Sequence, residues 1–250
     1  MTFFGMMNVR NEEEWIGEAI ESLLPLCDFV FVFDDHSTDG TVARCRGFGA
    51  RVVLHESEFS GLDLTRDKNF IYGKLLAHLP ASLLNEHSPF WVAAIDGDEA
   101  LAPGAAEAIR AAAGTADADV HSLALRVCYL WDNPDQVRVD GRYAEMFRPS
   151  VFHAINPAFQ FDPTPSGGNL HCPNVPNELV GLHRRIPARI KHYGYLRREA
   201  RLRKYLWMNE RDPNNAGEDF YRHMVIGDLP SLPAGSRTKW AGPLKLEPFS

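Results

Sequence analysis

The sequence predicts an α/β domain with a mainly parallel central sheet flanked by helices and a C-terminal helical extension. Three observations predict it. Short apolar runs alternate with stretches of helical periodicity through the first hundred residues. The apolar runs are near-continuous, as in strands buried on both faces. Each run ends at a cluster of polar or acidic residues.

Thr2–Val9 is the first apolar run and reads as a buried strand. Glu12–Leu24 places Trp15, Ile16, Ala19, Ile20, Leu23 and Leu24 at helical spacing, with glutamates in its first turn and Pro25 as its stop. Phe29–Phe33 is a second strand that halts at Asp34-Asp35. Ser37-Thr38-Asp39-Gly40-Thr41 offers a turn and a helix cap before a helix to about Phe48. Arg51–His55 reads as a third strand. A β-α-β-α-β order implies a parallel sheet with right-handed crossovers. Ligands of such sheets bind outside the carboxyl ends of the strands. Arg10, Asn11, Asp34, Asp35 and Ser37 therefore share one edge.

A helix over Thr65–His78, a strand over Phe90–Ile95, an alanine-rich helix over Pro103–Ala113 and a strand over Ser122–Leu130 follow. From Asp132 to Pro176 the pattern loosens, with a loop expected at Ser166-Gly167-Gly168-Asn169. Leu196–Asn209 reads as a late helix. One domain is expected over residues 1–226, with a Pro-containing, loosely ordered tail over 227–250.

The composition is that of an ordinary globular chain of 250 residues, 45% hydrophobic and 24% charged. A net charge of -7 argues against a protein that coats nucleic acid. Cys27, Cys45, Cys128 and Cys172 form no CxxC pair, which predicts buried free thiols in a reducing compartment. No basic leader precedes the first apolar run, and no run approaches the roughly 20 residues that span a bilayer. The expected location is cytoplasmic, with no transmembrane segment.

Asp96-Gly97-Asp98, followed by Glu99, closes the fourth apolar run. Two carboxylates one residue apart at a strand end can reach one hard cation, Mg²⁺ or Mn²⁺, which keeps positions for water and phosphate oxygens. Gly97 lets backbone approach a ligand closely. Alone, such a motif also occurs as a solvated acidic turn.

It stands in a series: Asn8-Val9-Arg10-Asn11-Glu12-Glu13, then Phe31–Thr41 with Asp34-Asp35, then Ile95–Glu99. This series resembles the family 2 glycosyltransferases of the GT-A fold over residues 3–130, and again at Ile190–Tyr195. The resemblance implies a nucleotide-sugar-binding half over 1–130 and an acceptor-side half over 131–226. It implies a uridine-type nucleotide near Arg10, Asn11 and Glu12, with Asp35 and its neighbour Asp34 on the base or ribose. A carboxylate suits that task because it accepts strongly from a ring N–H or a hydroxyl. Asp67 and Lys68 would lie near the sugar or diphosphate. Asp98 and the late His192 would hold the metal, with Asp96 reaching ribose or metal-bound water. Neutral imidazole favours Mn²⁺ over Mg²⁺.

Transfer from a nucleotide donor, a UDP-sugar by resemblance, to a hydroxyl acceptor with inversion needs a base. Relatives carry a His-Glu or Glu-Asp pair before the late histidine. Here His171 is followed by Cys172, so Glu178 is the preferred base, with His171 and Asp162 behind it. The run Arg184–Lys204 is basic. It reads as a solvated face with packed stems, with a residue or two beside His192 touching the diphosphate, or as a phosphate-binding or anionic-surface site for a diphosphate donor, a lipid-phosphate acceptor or nucleic acid, with peripheral membrane contact. The acceptor's class, saccharide, lipid-linked sugar or modified nucleic-acid base, is open. A sugar nucleotidyltransferase would show a glycine-rich basic loop after its first strand, where Asn8–Glu14 is acidic. A non-catalytic binding module is favoured by Cys172 and opposed by Asp96, Asp98 and His192.

Overall fold

The computed structural model describes residues 1–84, 90–117, 119–156, 158–162, 171–212, 220–226 and 244–249. The expected Ser166–Asn169 loop and most of the tail lie outside them. The elements run β1 (Phe3–Val9), α1 (Ile16–Leu23), β2 (Phe29–Asp34), α2 (Thr41–Gly47), β3 (Val52–Glu56), α3 (Leu64–His78), β4 (Trp91–Ala94), β5 (Glu99–Leu101) and α4 (Ala105–Gly114). Then follow β6 (Ser122–Trp131), β7 (Asn133–Arg138), β8 (Phe147–His153), β9 (His183–His192), α5 (Arg198–Arg211) and β10 (Leu246–Pro248).

The strands form one large sheet in the order β10-β7-β6-β8-β4-β1-β2-β3, with β9 joining β6 to β5. Strands β3, β2, β1 and β4 are parallel, as their crossovers demand. Beyond β4 the pairs with β8, β6, β7 and β10 run antiparallel, and β6 with β9 is parallel. The sheet as a whole is mixed. Its parallel half carries the βαβ units, and its other half is built from hairpins and long returns.

Both faces of the parallel half are covered, because successive residues of a strand point to opposite sides. Phe3, Met7 and Val9 of β1 join Ile16, Ile20 and Leu23 of α1 and Ile109 of α4 in one core. Phe4 and Met6 join Phe31, Phe33 and the α3 residues Ile71, Tyr72 and Leu75 in the other. Gly5 allows α1 its close approach: a Cβ there would stand 3.1 Å from Leu23 and Val30. Burying each of these large side chains contributes about 1.5–3 kcal/mol. Two cores back to back hold the strand ends rigidly in line.

Two expectations change. Residues 131–226 contain a ten-residue strand, β9, where the sequence reads as a basic run. Within the expected tail, the described residues 244–249 lie against the sheet: β10 pairs with β7, and Phe249 lies against the cationic groups of Arg189 and Lys191. Backbone pairing to an edge strand and cation–π contact order a segment that its prolines alone do not. Among the described residues no helix is long and apolar enough to cross a membrane, and all four cysteines are unpaired.

Candidate active site

The edge is built first from two loops, after β1 and after β2. Each turns through a non-glycine residue of positive φ, Asn11 at 55° and His36 at 57°. They are laced together. Asn11 N–H donates to Ser37 Oγ (2.8 Å), Thr38 N–H to Asn11 Oδ1 (2.8 Å), Glu12 N–H to Thr41 Oγ1 (2.8 Å), and Gly40 N–H to Glu13 (3.0 Å). Asp39 accepts from Thr41 and Glu13, the turn-and-cap role expected of Ser37–Gly40.

Asp34 and Asp35 lie buried at the centre of this lacing. Asp34 accepts from Ser37 N–H (3.0 Å), and Asp35 pairs with the half-exposed Arg10 (3.1 Å). Each has a second oxygen that is buried and meets no donor, as do both polar atoms of the Asn8 side chain and Asp67 Oδ2. Buried polar atoms are ordinarily satisfied. Asn8 and Asp34 stand near the carboxyl ends of β1 and β2, Asp35 follows β2, and Asp67 lies in the first turn of α3. Asp67 is fully buried against Arg66, and burial raises its carboxyl to about 6.

Lys68 faces the protein. Its ammonium donates to Cys172 O (2.8 Å), Pro173 O (2.9 Å) and Asn174 Oδ1 (2.6 Å). An ammonium has three donors, so the expected phosphate contact is corrected: Lys68 instead clamps the 172–174 segment onto α3. Asn174 in turn donates to Ala94 O at the end of β4.

The acidic motif follows β4. Gly97 is required there, since a Cβ would stand 2.9 Å from both Glu12 and Val9. The chain then enters β5, whose antiparallel register with β9 sets Glu99 opposite His192. Tyr193 N–H donates to Asp98 O at 2.8 Å. That register brings the buried Asp98 Oδ2 to 3.9 Å from His192 Nε2 and 3.3 Å from Lys204 Nζ on α5. Burial opposes the Asp98 charge, but Lys204 and His192 outweigh it and hold the carboxyl at about 2. Burial lowers His192 to about 4, against the pull of Asp98, so the ring is neutral. It packs on Tyr129, and its Nδ1 accepts from Gly194 N–H at 3.1 Å. Asp96, 45% exposed, faces Arg148 at 3.3 Å. Arg148 also pairs with Glu99, which is fully buried and lifted by that burial to about 7.

Glu12 overlooks the same carboxylates. Burial first, then Asp98, pushes it up to about 9, with Lys204 opposing. A carboxyl raised in the folded state holds its proton more tightly when folded. Stability is therefore fullest below the unfolded value of 4.5 and falls as pH rises towards 9. Glu12→Gln is expected to flatten this fall, melting above the parent near pH 9 and close to it near pH 5. Parallel pH profiles for the two proteins would refute the assignment.

The three candidate bases separate. Glu178 is exposed on the turn Asn177–Leu179, whose Leu179 carbonyl accepts from Ser122 Oγ at 3.2 Å. Ser122 pairs with His183, whereas His192 pairs with Tyr129 at the far end of the same strands. At about 3.3 Å per residue, that separation is roughly 20 Å. The Glu178 assignment is thereby corrected. Asp162 is exposed, its carbonyl facing Cys172 Sγ at 3.7 Å. His171 reaches the rim near Lys204: its Nε2 lies 3.0 Å from the Tyr221 hydroxyl, which donates to buried Asp212 at 2.6 Å.

The basic run does not form one face. Arg184 donates to the carbonyl end of α4, Arg185 stacks on Phe147, and Arg197 pairs with Glu14. Arg201 is buried on Tyr195 O and Asp132, and Lys204 turns to Asp98. These contacts draw Arg184, Arg201 and Lys204 inward, while Arg185, Arg197, Arg198 and Arg203 stay exposed. Arg148 and Lys204 are the site residues that sequence reasoning missed. Neither belongs to a motif, and each is brought in across the fold.

No protein-family model matches the chain, and no curated protein does. Similar solved structures include S. aureus TarS, at 22% identity and TM-score 0.38 over 53% of this chain and 22% of that one. TarS 1-349 in complex with UDP-GlcNAc matches at 18% and 0.37, over 52% and 34%. Glucosyl-3-phosphoglycerate synthase from Mycobacterium tuberculosis, in complex with Mn²⁺ and UDP-glucose, matches at 24% and 0.36, over 51% and 43%. Each match spans less than half of the solved chain. Likeness at these scores carries no argument about chemistry.

Proposed function

We propose that the chain is a metal-assisted glycosyltransferase, moving a sugar from a nucleoside diphosphate, a UDP-sugar by its motif resemblance, to a hydroxyl acceptor. One observation carries this. The β5–β9 register sets Asp98 of the acidic motif against His192, on the edge where Asn8, Asp34 and Asp35 hold buried, unpaired polar atoms.

The residues fit a divalent cation. One anionic oxygen and one neutral imidazole nitrogen suit Mn²⁺. Ligands about 2.1 Å from a shared ion are at most roughly 4.2 Å apart, and the observed 3.9 Å falls within that span. His192 would ligate through Nε2 with its proton moved to Nδ1, giving up the Gly194 contact. Among the described residues no group of three or more His, Cys, Asp and Glu is arranged to hold a metal, so water and diphosphate oxygens would complete the shell. A cation held there supplies Lewis-acid relief of the charge that develops on the leaving diphosphate.

The chain's own residues do the rest. Asn8, Asp34 and Asp35 orient the nucleoside through their free polar atoms. Arg148 keeps Asp96 and Glu99 in place at the acidic motif. With inversion, the acceptor hydroxyl loses its proton to a base on the acceptor side. His171 is the candidate there: Tyr221, by donating to Asp212, accepts from Nε2–H and leaves Nδ1 free.

A panel of nucleotide-sugars incubated with Mn²⁺ tests the reading by release of free nucleotide. Slow hydrolysis of at least one UDP-sugar, abolished by a chelator, is expected. Tight nucleotide binding without turnover of any member would assign the chain to the non-catalytic class.

A further inference from the structure

Lys204 is left unused by the chemistry above, yet its ammonium stands where a cation on Asp98 would stand. Its Nζ is 3.3 Å from Asp98 Oδ2, on the carboxylate that also faces His192, and 5.4 Å from the centre of the Tyr195 ring. The lysine arrives from α5, far from the acidic motif in sequence. Its side chain is 32% exposed, so it has water to withdraw into. Asp98 does not: it is 5% exposed, and its charge needs a partner at all times. A divalent ion and an ammonium cannot both sit against one buried oxygen without strong like-charge repulsion.

We propose that Lys204 is an exchangeable counter-ion. It neutralises Asp98 while the metal position is empty, yields that carboxylate when the divalent cation enters, and then contacts the oxygens of the incoming diphosphate. The arrangement makes metal and nucleotide bind best together, since the diphosphate gives the displaced ammonium a new partner. This rests on the glycosyltransferase reading for the nature of the diphosphate, but not for the exchange at Asp98.

Lys204→Met keeps the stem against Tyr195 and removes the charge, and Lys204→Arg restores a cation. Mn²⁺ binding is measured on the full chain by electron paramagnetic resonance without nucleotide, and UDP binding by calorimetry at saturating Mn²⁺. In Lys204→Met, Mn²⁺ alone is expected to bind about tenfold more tightly and UDP about tenfold more weakly. The arginine variant should stay near the parent in both. Added Mn²⁺ should also raise the melting temperature of the methionine variant more than that of the parent. A lysine that only packs against Tyr195 would leave both constants alone or weaken both. The proposal is overturned if Lys204→Met binds Mn²⁺ no more tightly than the parent, or if neither protein binds it. Failure of the glycosyltransferase reading looks different: no UDP-sugar turns over in the parent, while the Mn²⁺ affinities still part. Lys204→Gln repeats the comparison should the methionine variant not fold.

Discussion

Asp98→Asn is expected to lower kcat/KM for the best UDP-sugar by about a thousandfold, the scale of losing one preorganised charge-stabilising group. The amide keeps the shape of the side chain and its backbone bond to Tyr193. What disappears is the anionic oxygen that faces both His192 and Lys204. The loss should exceed any loss of fold, because Lys204 is partly exposed and its ammonium can turn to water. Asp96→Asn provides the contrast. Asp96 is nearly half exposed and turned to Arg148, so about a tenfold effect is expected, in the range of a partly screened contact. Steady-state kinetics with melting curves on both variants decide the matter. Activity of Asp98→Asn within tenfold of the parent would refute the metal assignment.

Gly194→Ala should have the second largest effect. A Cβ at this position would fall inside contact distance of Asp98 Oδ2 and lie 2.7 Å from His192 Cε1. Asp98 and His192 are buried, so neither can swing away freely. Overpacking of this kind costs about 1–3 kcal/mol, and the strain lands on the very pair that would share the metal. A loss of Mn²⁺ affinity and a hundredfold or so fall in turnover are expected, since small displacements at a reacting centre have that scale. Gly181→Ala is the control, since a methyl group there would meet nothing within 4 Å. If Gly194→Ala binds Mn²⁺ as the parent and the Gly181→Ala protein do, the site does not depend on this close approach.

The parallel half of the fold was legible because its signals are local. Phe29–Asp34 is apolar until it stops at an acid, and Ile16–Leu23 has one apolar stripe with Pro25 just beyond it. The other half was not, because its strands mix faces. β9 hides its period-two pattern among arginines: Ile186, Ala188, Ile190 and His192 alternate inward. Counting that alternation was the signal that could have found it. Asp98 and His192 could be named from motif order, but their approach depends on the β5–β9 register, which no spacing encodes. Lys204 was submerged in a basic run whose members have different tasks. Glu178 was favoured as a carboxylate in the segment before the late histidine, and place in the chain says nothing about which end of a ten-residue strand a turn packs against.

The lacing of the first two loops has a consequence for how a ligand arrives. Five backbone amides that loops ordinarily offer to water, those of Asn11, Glu12, Glu13, Thr38 and Gly40, are held by side chains of the facing loop. Freezing a free loop residue costs about 1–2 kcal/mol each, and here folding has already met that cost. On the proposed function, a nucleoside landing on this floor would demand little further ordering of the chain, so its recognition would be a matter of fit to a standing surface. On the same reading, adaptation would fall to the partly exposed Lys204 of α5.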